Sequence, residues 1–414
     1  MSRREYRETS RTLGTLFPLV GSTNPPCNSV PIGASSSGGV FCYDPFELYS
    51  RGFLQSPNMV VLGQLGKGKS SLVKSLIVRS AALGRSYFVL DPKGEYGELA
   101  RETGGALIRL EVGGDCPVDP FWGTTLSDER DALAIESTVT RLLEGTLGRT
   151  LDTFEQLVLD QLLRERYRSG AAFDLLELSA RAASDQMALR LDSKGCDPYS
   201  IARARATIAR ELQRLVHGDL RGLIAAKRTS KPNLGEGVVI DLSALYGSKA
   251  LSIAIGLLME MRLRQLRDGG IPRGYVVIDE AWAVLENPAI ASWFRFLWKL
   301  ARAYGCSNIA VTHRLSDLVE MADPAARSQA AGLVADSETI VVYSQPRSQA
   351  EETGRYLGLG RGLTLALPQL ERGSALWQVG RDRYIVRHVL SAIEQRAVDT
   401  DAAMRDRTGH VSGR

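Results

Sequence analysis

The octapeptide GQLGKGKS at residues 63–70 carries the clearest chemical signal in the sequence. It matches the pattern G-x-x-x-x-G-K-[ST], in which glycines let successive backbone N–H groups converge on phosphate oxygens. We expect Lys69 to reach the β- and γ-phosphates of a nucleotide and Ser70 to bind Mg²⁺. The alternative is a glycine-rich strand-to-helix turn with an exposed lysine. The predicted nucleotide-binding residues of this loop are Gly63, Gln64, Leu65, Gly66, Lys67, Gly68, Lys69, Ser70 and Ser71.

Two adjacent acids end an apolar run, YVVI at 275–278. Asp279 is expected to hold Mg²⁺, directly or through water, and Glu280 to polarise the attacking water as a general base. Two carboxylates at a buried strand end would be costly without a cation or solvent to compensate them. A solvated acidic turn is the alternative.

Two further strand ends carry candidate site residues. If the sheet is RecA-like, the strand at 309–312 lies beside the acid-bearing strand and presents His313 to the γ-phosphate as a sensor, unless His313 is an ordinary surface residue. In DPKGEY at 91–96, Asp91 and Glu95 could orient the nucleophilic water or pair with an arginine. Because D-P-x-G is also turn chemistry, a loop-and-cap role stays open.

Short apolar runs bounded by Gly, Pro, Asp or Ser are the elements that must position these residues. Runs without alternation suit strands buried on both faces, as in a parallel sheet covered by helices. The predicted strands lie at 59–62, 87–90, 106–110, 238–242, 275–278, 309–312 and 340–343, and an antiparallel hairpin lies at 375–379 and 384–389. The predicted class is α/β, with a central, mainly parallel sheet and a C-terminal β-hairpin.

The interval 123–235 lacks this pattern of strands. It contains no convincing strand and has two apolar stripes with helical spacing. The stripes are Phe154, Leu157, Val158 and Leu162, and Ile201, Ala204, Ile208, Leu212 and Leu215. We therefore predict an all-helical insertion at 123–235 within an ATPase domain at 56–122 and 236–398. Residues 1–55 are predicted to be an irregular segment with one incoming strand, and 399–414 a disordered tail.

Composition limits the classes of function. The chain has 414 residues with a net charge of +4, too small to indicate nucleic acid or a membrane by itself. Its five cysteines are odd in number and lack CxxC spacing, which favours reduced thiols over disulfides or zinc. No apolar run reaches the ~18 residues of a transmembrane helix, and acidic residues near the start argue against a signal peptide.

The sequence resembles the C-terminal motor domain of conjugation and type IV secretion ATPases. The resemblance rests on four motifs that occur in this order: GQLGKGKS, DPKGEY, IDEAW and VTHR. This family is the TraC-like branch of the FtsK/HerA superfamily of RecA-like P-loop NTPases, and the resemblance covers roughly residues 28–390. It implies a hexameric ring that hydrolyses ATP with Mg²⁺, on the cytoplasmic side of the membrane beside a membrane-embedded secretion channel. The family's catalytic residues correspond to Lys69, Ser70, Asp279 and Glu280.

Comparison with the family pattern gives two departures of this sequence and one further expected residue. The sensor position usually holds Gln, whereas this chain has His313. An arginine from a neighbouring subunit is expected, and Arg302 and Arg372 are the candidates, each with an ordinary surface role as the alternative. Family members usually carry a large N-terminal docking domain, whereas about 50 residues precede the motor here. A motor-only version, a split gene product whose docking domain is supplied by another chain, and a remnant all stay open.

The insertion carries a basic strip formed by Arg203, Arg210 and Arg214, which could bind along a nucleic-acid backbone. Glu211 interrupts this strip, and a solvated helix face is the simpler interpretation. The first functional hypothesis is a motor for conjugative secretion or pilus and channel assembly. The second is a DNA-stimulated translocase, and the third a nucleotide-gated assembly subunit with little turnover. Intact Glu280 argues against the third.

Overall fold

An 11-stranded sheet forms the centre of the computed structural model. The structure describes residues 24–25, 30–115, 117–121, 129–169, 174–184, 197–227, 235–269, 271–285, 287–315 and 331–398. The predicted tail at 399–414 and Cys27, Cys116 and Cys196 lie outside these residues. The strands are β1 (Pro31–Ser35), β2 (Val40–Cys42), β3 (Met59–Leu62), β4 (Ser86–Asp91), β5 (Ala106–Arg109), β6 (Gly237–Asp241), β7 (Gly274–Ile278), β8 (Cys306–Thr312), β9 (Thr339–Tyr343), β10 (Ser374–Val379) and β11 (Asp382–His388).

The strand order is β2-β1-β11-β10-β9-β3-β8-β7-β4-β6-β5. The strands from β9 to β5 pair in parallel, and β10, β11, β1 and β2 add an antiparallel extension. Alternate residues of β3 enter two different clusters, with Val60 and Leu62 in one and Met59 and Val61 in the other. Burial on both faces explains the non-alternating apolar runs, and the predicted α/β class with its C-terminal hairpin is confirmed.

Thirteen α-helices surround this sheet within the described part of the chain. They are α1 (Pro45–Ser50), α2 (Lys69–Ala81), α3 (Gly97–Thr103), α4 (Glu129–Leu147), α5 (Thr153–Ser169), α6 (Leu175–Ala183), α7 (Pro198–Val216), α8 (Lys249–Arg267), α9 (Trp282–Leu285), α10 (Pro288–Leu300), α11 (Arg347–Tyr356), α12 (Arg361–Ala366) and α13 (Ala392–Val398). None of them is long and apolar enough to cross a membrane.

Four of these helices, α4 to α7, occupy the interval between β5 and β6, where the described residues form no named strand. The apolar stripe of α7 is buried, and it belongs to the same cluster as one face of the sheet. Helix α4 packs closely on α8 and α10, since a Cβ at Gly145 would lie 2.8 Å from Ile290 and 3.2 Å from Ile253. The helical interval therefore shares its core with the sheet.

The segment before β3 differs from the prediction. An irregular segment with one strand was expected to residue 55, whereas residues 31–42 form a two-strand hairpin and α1 follows it. Asp44 caps α1 by accepting from the N–H groups of Phe46 and Glu47. Phe41 and Tyr43 are buried against Trp377. The hairpin was not predicted because its sequence is rich in Gly, Pro and Ser and shows little of the apolar pattern that indicates strands.

Candidate nucleotide-binding site

Four neighbouring parallel strands bring the predicted site residues to one edge of the sheet. Strand β8 lies between β3, which leads into the glycine-rich loop, and β7, which ends at the acid pair. Strand β4, which ends at the DPKGEY loop, pairs with β7 on its other side. Carboxyl ends of parallel strands form the ligand side of such a sheet. The expected position of the His313 strand beside the acid-bearing strand is confirmed.

The phosphate loop has a backbone that only glycine allows at two positions. Gly63 has φ +142°, and a Cβ there would lie 2.5 Å from the Cβ of Tyr343. Gly68 has φ +113° and directly precedes α2, so the loop turns into the first N–H groups of that helix. This is the geometry in which a helix N-terminus and a glycine-rich turn together bind phosphate.

Lys69 lies inside this loop and is almost fully buried. Its Nζ donates to the carbonyl oxygens of Gly63, at 2.7 Å, and Gln64, at 3.1 Å. Burial lowers the pKa of Lys69 to about 8, although Asp279 and Glu280 oppose that effect by favouring the charged ammonium. The cation therefore lies within the loop that would surround a phosphate.

The acid pair that follows β7 is buried and strained. Burial, assisted by the adjacent charge of Glu280, raises the pKa of Asp279 to about 6. Glu280 has φ +51°, a left-handed conformation that costs a non-glycine residue about 1–3 kcal/mol. Its backbone N–H donates to Oδ1 of Asp279 at 3.0 Å. This strained turn directs the two carboxylates toward one cavity.

Three side chains donate to the carboxylate of Glu280. Nε2 of His313 lies 3.0 Å from Oε1, Nζ of Lys93 contacts the same oxygen, and the indole of Trp282 donates to Oε2. Burial alone would raise the pKa of Glu280, but these hydrogen bonds outweigh it and lower the pKa to about 2. Glu280 is therefore a carboxylate, held in a fixed orientation.

The imidazole of His313 has three polar neighbours: Lys69 at Nδ1, and Glu280, at 3.0 Å, and Lys93, at 3.4 Å, at Nε2. Nδ1 lies 3.1 Å from Nζ of Lys69, which as a protonated amine can only donate, so Nδ1 accepts. The shorter of the two Nε2 contacts is the one to Glu280, so Nε2 carries a proton and donates it there. The hydrogen-bond network thus assigns one tautomer and joins Lys69 to Glu280 through one imidazole.

The two acids of the DPKGEY loop, Asp91 and Glu95, lie in different environments. The Asp91 carboxylate is buried and accepts from the N–H groups of Tyr96, at 2.8 Å, and Lys93, at 3.2 Å, so it caps its own loop. It does not line the cavity, which favours the loop-and-cap alternative over an orienting role toward water. Glu95 does line the cavity. Lys93 was not predicted, although its place between two predicted residues was the available signal.

A cavity of about 990 Å³ contains these groups. Its lining includes Ser70, Ser71, Asp279 and Arg372. Ser70 and Asp279 supply a hydroxyl and a carboxylate oxygen, the ligands that Mg²⁺ prefers. Within the described residues no group of three or more His, Cys, Asp or Glu could hold a metal alone. The donor set therefore suits a Mg²⁺ that is also bound by phosphate oxygens.

The two candidate arginines lie in different places. The Arg372 loop is attached to the phosphate loop of its own chain, because the N–H of Gly373 donates to the carbonyl of Lys67 at 3.0 Å. This placement favours a role toward the nucleotide of its own chain instead of that of a neighbour. Arg302 lies before β8, at the opposite edge of the sheet, where it donates to the carbonyl of Gln55 at 3.2 Å.

The basic strip on α7 is largely paired within the chain. Arg214 contacts Glu211 at 2.7 Å and Asp219 at 2.9 Å, and Arg210 contacts Glu211 at 3.1 Å. The sequence placed these arginines on one face and showed that Glu211 interrupts it, but it did not show the contact of Arg214 with Asp219. Of the three predicted residues, Arg203 makes no ion pair within the described part of the chain. DNA contact through this strip stays a prediction.

Comparison with known proteins places the chain in a family. The family described as Helicase HerA, central domain, matches residues 54–261, and the chain belongs to it. This confirms the resemblance to the FtsK/HerA superfamily. Among curated proteins, no sequence matches this chain.

Solved structures share the fold. VirB4 of Thermoanaerobacter pseudethanolicus is similar with a TM-score of 0.70 and 19% identity, over 90% of this chain and 100% of that one. The bacterial conjugative coupling protein TrwBΔN70 gives a TM-score of 0.58 at 15% identity, over 89% of this chain and 90% of that one. TrwB in complex with ADP and Mg²⁺ gives the same score and identity, over 90% of this chain and 93% of that one. The chain therefore has the P-loop NTPase fold of these proteins.

Proposed function

We propose that the chain is a Mg²⁺-dependent ATPase, and that a ring of its copies energises conjugative DNA transfer or type IV secretion. The observation that carries this proposal is the connection of Lys69, in the phosphate loop, to Glu280 through His313. A buried cation, an oriented carboxylate and an imidazole between them suit a γ-phosphate and its attacking water. The structure of TrwB with ADP and Mg²⁺ supports the same cofactors here.

The proposed chemistry is in-line attack of water on the γ-phosphate. Backbone N–H groups of the loop and Lys69 would bind the phosphates and neutralise the developing charge. Glu280 would accept the hydrogen bond of the attacking water and orient it. Ser70 and Asp279 would hold Mg²⁺, which supplies charge neutralisation when bound. Arg372 is positioned to add positive charge from its own chain.

The assembly and its setting rest on family membership and on the similarity to VirB4 and TrwB. We propose a homo-oligomer, a hexameric ring, that acts at the inner face of the cell membrane beside membrane-embedded channel components. A neighbour's Arg302 could then approach the nucleotide. The DNA translocase remains the second candidate, because the family description names a helicase.

Steady-state ATPase activity of the purified chain, with and without single- and double-stranded DNA at low salt, tests these alternatives. Activity that is indifferent to DNA supports a secretion motor, whereas strong stimulation supports the translocase. Binding without turnover would support the nucleotide-gated assembly subunit.

A matched pair of lysine variants tests the site itself. Lys69→Ala is expected to abolish nucleotide binding and turnover, and Lys249→Ala, at an exposed position that does not line the cavity, to retain both. Unchanged activity in Lys69→Ala would overturn the proposed site.

A further inference from the structure

The cavity extends to both sides of the phosphate loop, and its two ends differ in chemistry. In the sheet, β8 and β7 lie on one side of β3, and β9, β10 and β11 lie on the other. The acids Asp279 and Glu280 line the end beside β7, where the γ-phosphate is proposed to react. A nucleotide whose γ-phosphate lies at these acids would extend through the phosphate loop to the other part of the lining, which comes from the end of β11 and from α13.

That opposite end has the composition of a site for a flat heterocycle. Leu390 and Val398 contribute partly buried apolar side chains to its lining. The guanidinium of Arg387 and the amide of Gln395 are its exposed polar groups. The Gln395 amide has no hydrogen-bond partner within the described part of the chain, so its donors and acceptor are available to a ligand. Apolar walls with few polar groups are typical of small-molecule sites.

Helix α13 is fixed to the same helix that begins in the phosphate loop. Glu394, next to Gln395, is 3% exposed and accepts from Ser75 at 2.6 Å and from Arg79 at 2.5 and 2.8 Å. Ser75 and Arg79 both belong to α2. The phosphate-binding end and the α13 end of the cavity are therefore held at a set separation by one buried ion pair.

We propose that Leu390, Val398 and Gln395 form the subsite for the nucleotide base, and that the amide of Gln395 selects adenine over guanine. An amide presents a donor and an acceptor side by side, which match the N7 acceptor and N6 donor of adenine. Guanine presents two acceptors, O6 and N7, on the corresponding edge, so the amide oxygen would have no donor to pair with and would stay in solvent, and guanine would gain less from Gln395 than adenine does. This inference rests on the proposed nucleotide function and adds the identity of the base.

Binding of ribose-labelled fluorescent ATP and GTP to the full chain tests the assignment without relying on turnover. Wild type should prefer ATP, and Gln395→Leu should weaken ATP binding and leave GTP binding unchanged, so that the preference falls about tenfold. Arg396→Ala is the matched control, because Arg396 lies on the same helix but contacts Glu102 at 3.5 Å, away from the cavity. It should keep the wild-type preference.

The outcomes separate this inference from the proposed function. If Lys69→Ala loses both labelled nucleotides while Gln395→Leu keeps the wild-type preference, the base subsite is overturned and the phosphate site stands. If Lys69→Ala binds both as wild type does, the phosphate site itself is wrong. A wild type that prefers GTP would also overturn the role of Gln395.

Discussion

Nε2 of His313 lies 3.0 Å from Oε1 of Glu280, and this contact joins the two halves of the candidate site. The other ring nitrogen lies 3.1 Å from Nζ of Lys69, which is bound to carbonyl oxygens of its own loop. A γ-phosphate that binds Lys69 would weaken or break the hydrogen bond that Nδ1 of His313 accepts from Lys69. We therefore expect the presence of nucleotide to be transmitted to Glu280 through one imidazole.

Two substitutions of His313 test this connection. In His313→Gln, an amide can still accept from Lys69 and donate to Glu280, so kcat should stay within about fivefold of wild type, because only hydrogen-bond geometry changes. In His313→Leu, Glu280 loses a donor and Lys69 loses an acceptor, so kcat should fall by about tenfold or more, with KM little changed. Steady-state kinetics measures both. Equal kcat values for the two variants would show that the imidazole does not connect these residues.

Removal of the general base should separate binding from chemistry. Glu280→Gln is expected to bind ATP normally and to hydrolyse it about 10²–10⁴-fold more slowly, since it can no longer accept a proton from water. Labelled-nucleotide binding and phosphate release measure the two steps. Glu95→Gln, which changes another acid lining the same cavity, should retain most of the turnover. The reverse result would assign the base to Glu95.

The sheet could be predicted from the sequence because its central strands are buried on both faces. Each run from 59–62 to 340–343 corresponds to one of the strands β3 to β9, and all but the edge strand β5, whose burial alternates and leaves Leu107 exposed, are buried on both faces. The hairpin β1–β2 could not be predicted in this way, because its short strands include glycine and serine and are stabilised by distant partners. Gly33, for example, pairs with His388.

The site was predictable where a local motif encodes the chemistry. Lys69, Ser70, Asp279 and Glu280 belong to contiguous patterns whose backbone geometry requires particular residue types. Lys93 could not be assigned, because its contact with Glu280 joins loops far apart in the sequence. Such a contact depends on the order of strands in the sheet, which the local pattern does not determine.

The contact between Lys93 and Glu280 gives a further prediction. Lys93 occupies the same carboxylate oxygen as His313 and stabilises the charged form of Glu280, which lowers its basicity. Lys93→Met keeps most of the aliphatic stem and removes the cation. We expect basal turnover to rise, by about threefold to tenfold, because His313 and Trp282 still orient the carboxylate, which without the adjacent cation is a stronger base.

The matching control for Lys93→Met is Lys249→Met, which removes an exposed lysine outside the cavity without changing the partners of Glu280. Its basal turnover should stay near wild type. A fall in kcat with a rise in KM for Lys93→Met would mean that Lys93 binds phosphate and does not restrain Glu280. Phosphate release at saturating and limiting ATP distinguishes these results.

The ion pair between Glu394 and Arg79 predicts how stability depends on pH. Burial opposes the charged carboxylate, but hydrogen bonds from Arg79, Ser75 and Ser391 outweigh it and lower the pKa of Glu394 to about 2. Because this lies below the ordinary value of 4.5, the contribution to stability is complete above pH 4.5 and is lost as the pH falls toward 2. Glu394→Gln should lower the free energy of unfolding at pH 7 by about 1.5–3 kcal/mol.

Urea unfolding at pH 7 and pH 3 measures this loss, and the difference between wild type and Glu394→Gln should be smaller at pH 3 because the wild-type carboxylate is then partly protonated in the unfolded chain. Glu351→Gln is the control, since Glu351 pairs with Arg347 on the surface and such pairs contribute about 0–1 kcal/mol. A Glu394→Gln variant as stable as wild type at pH 7 would show that this pair does not hold α13 against α2. The base subsite would then lack the fixed separation from the phosphate loop on which its geometry depends.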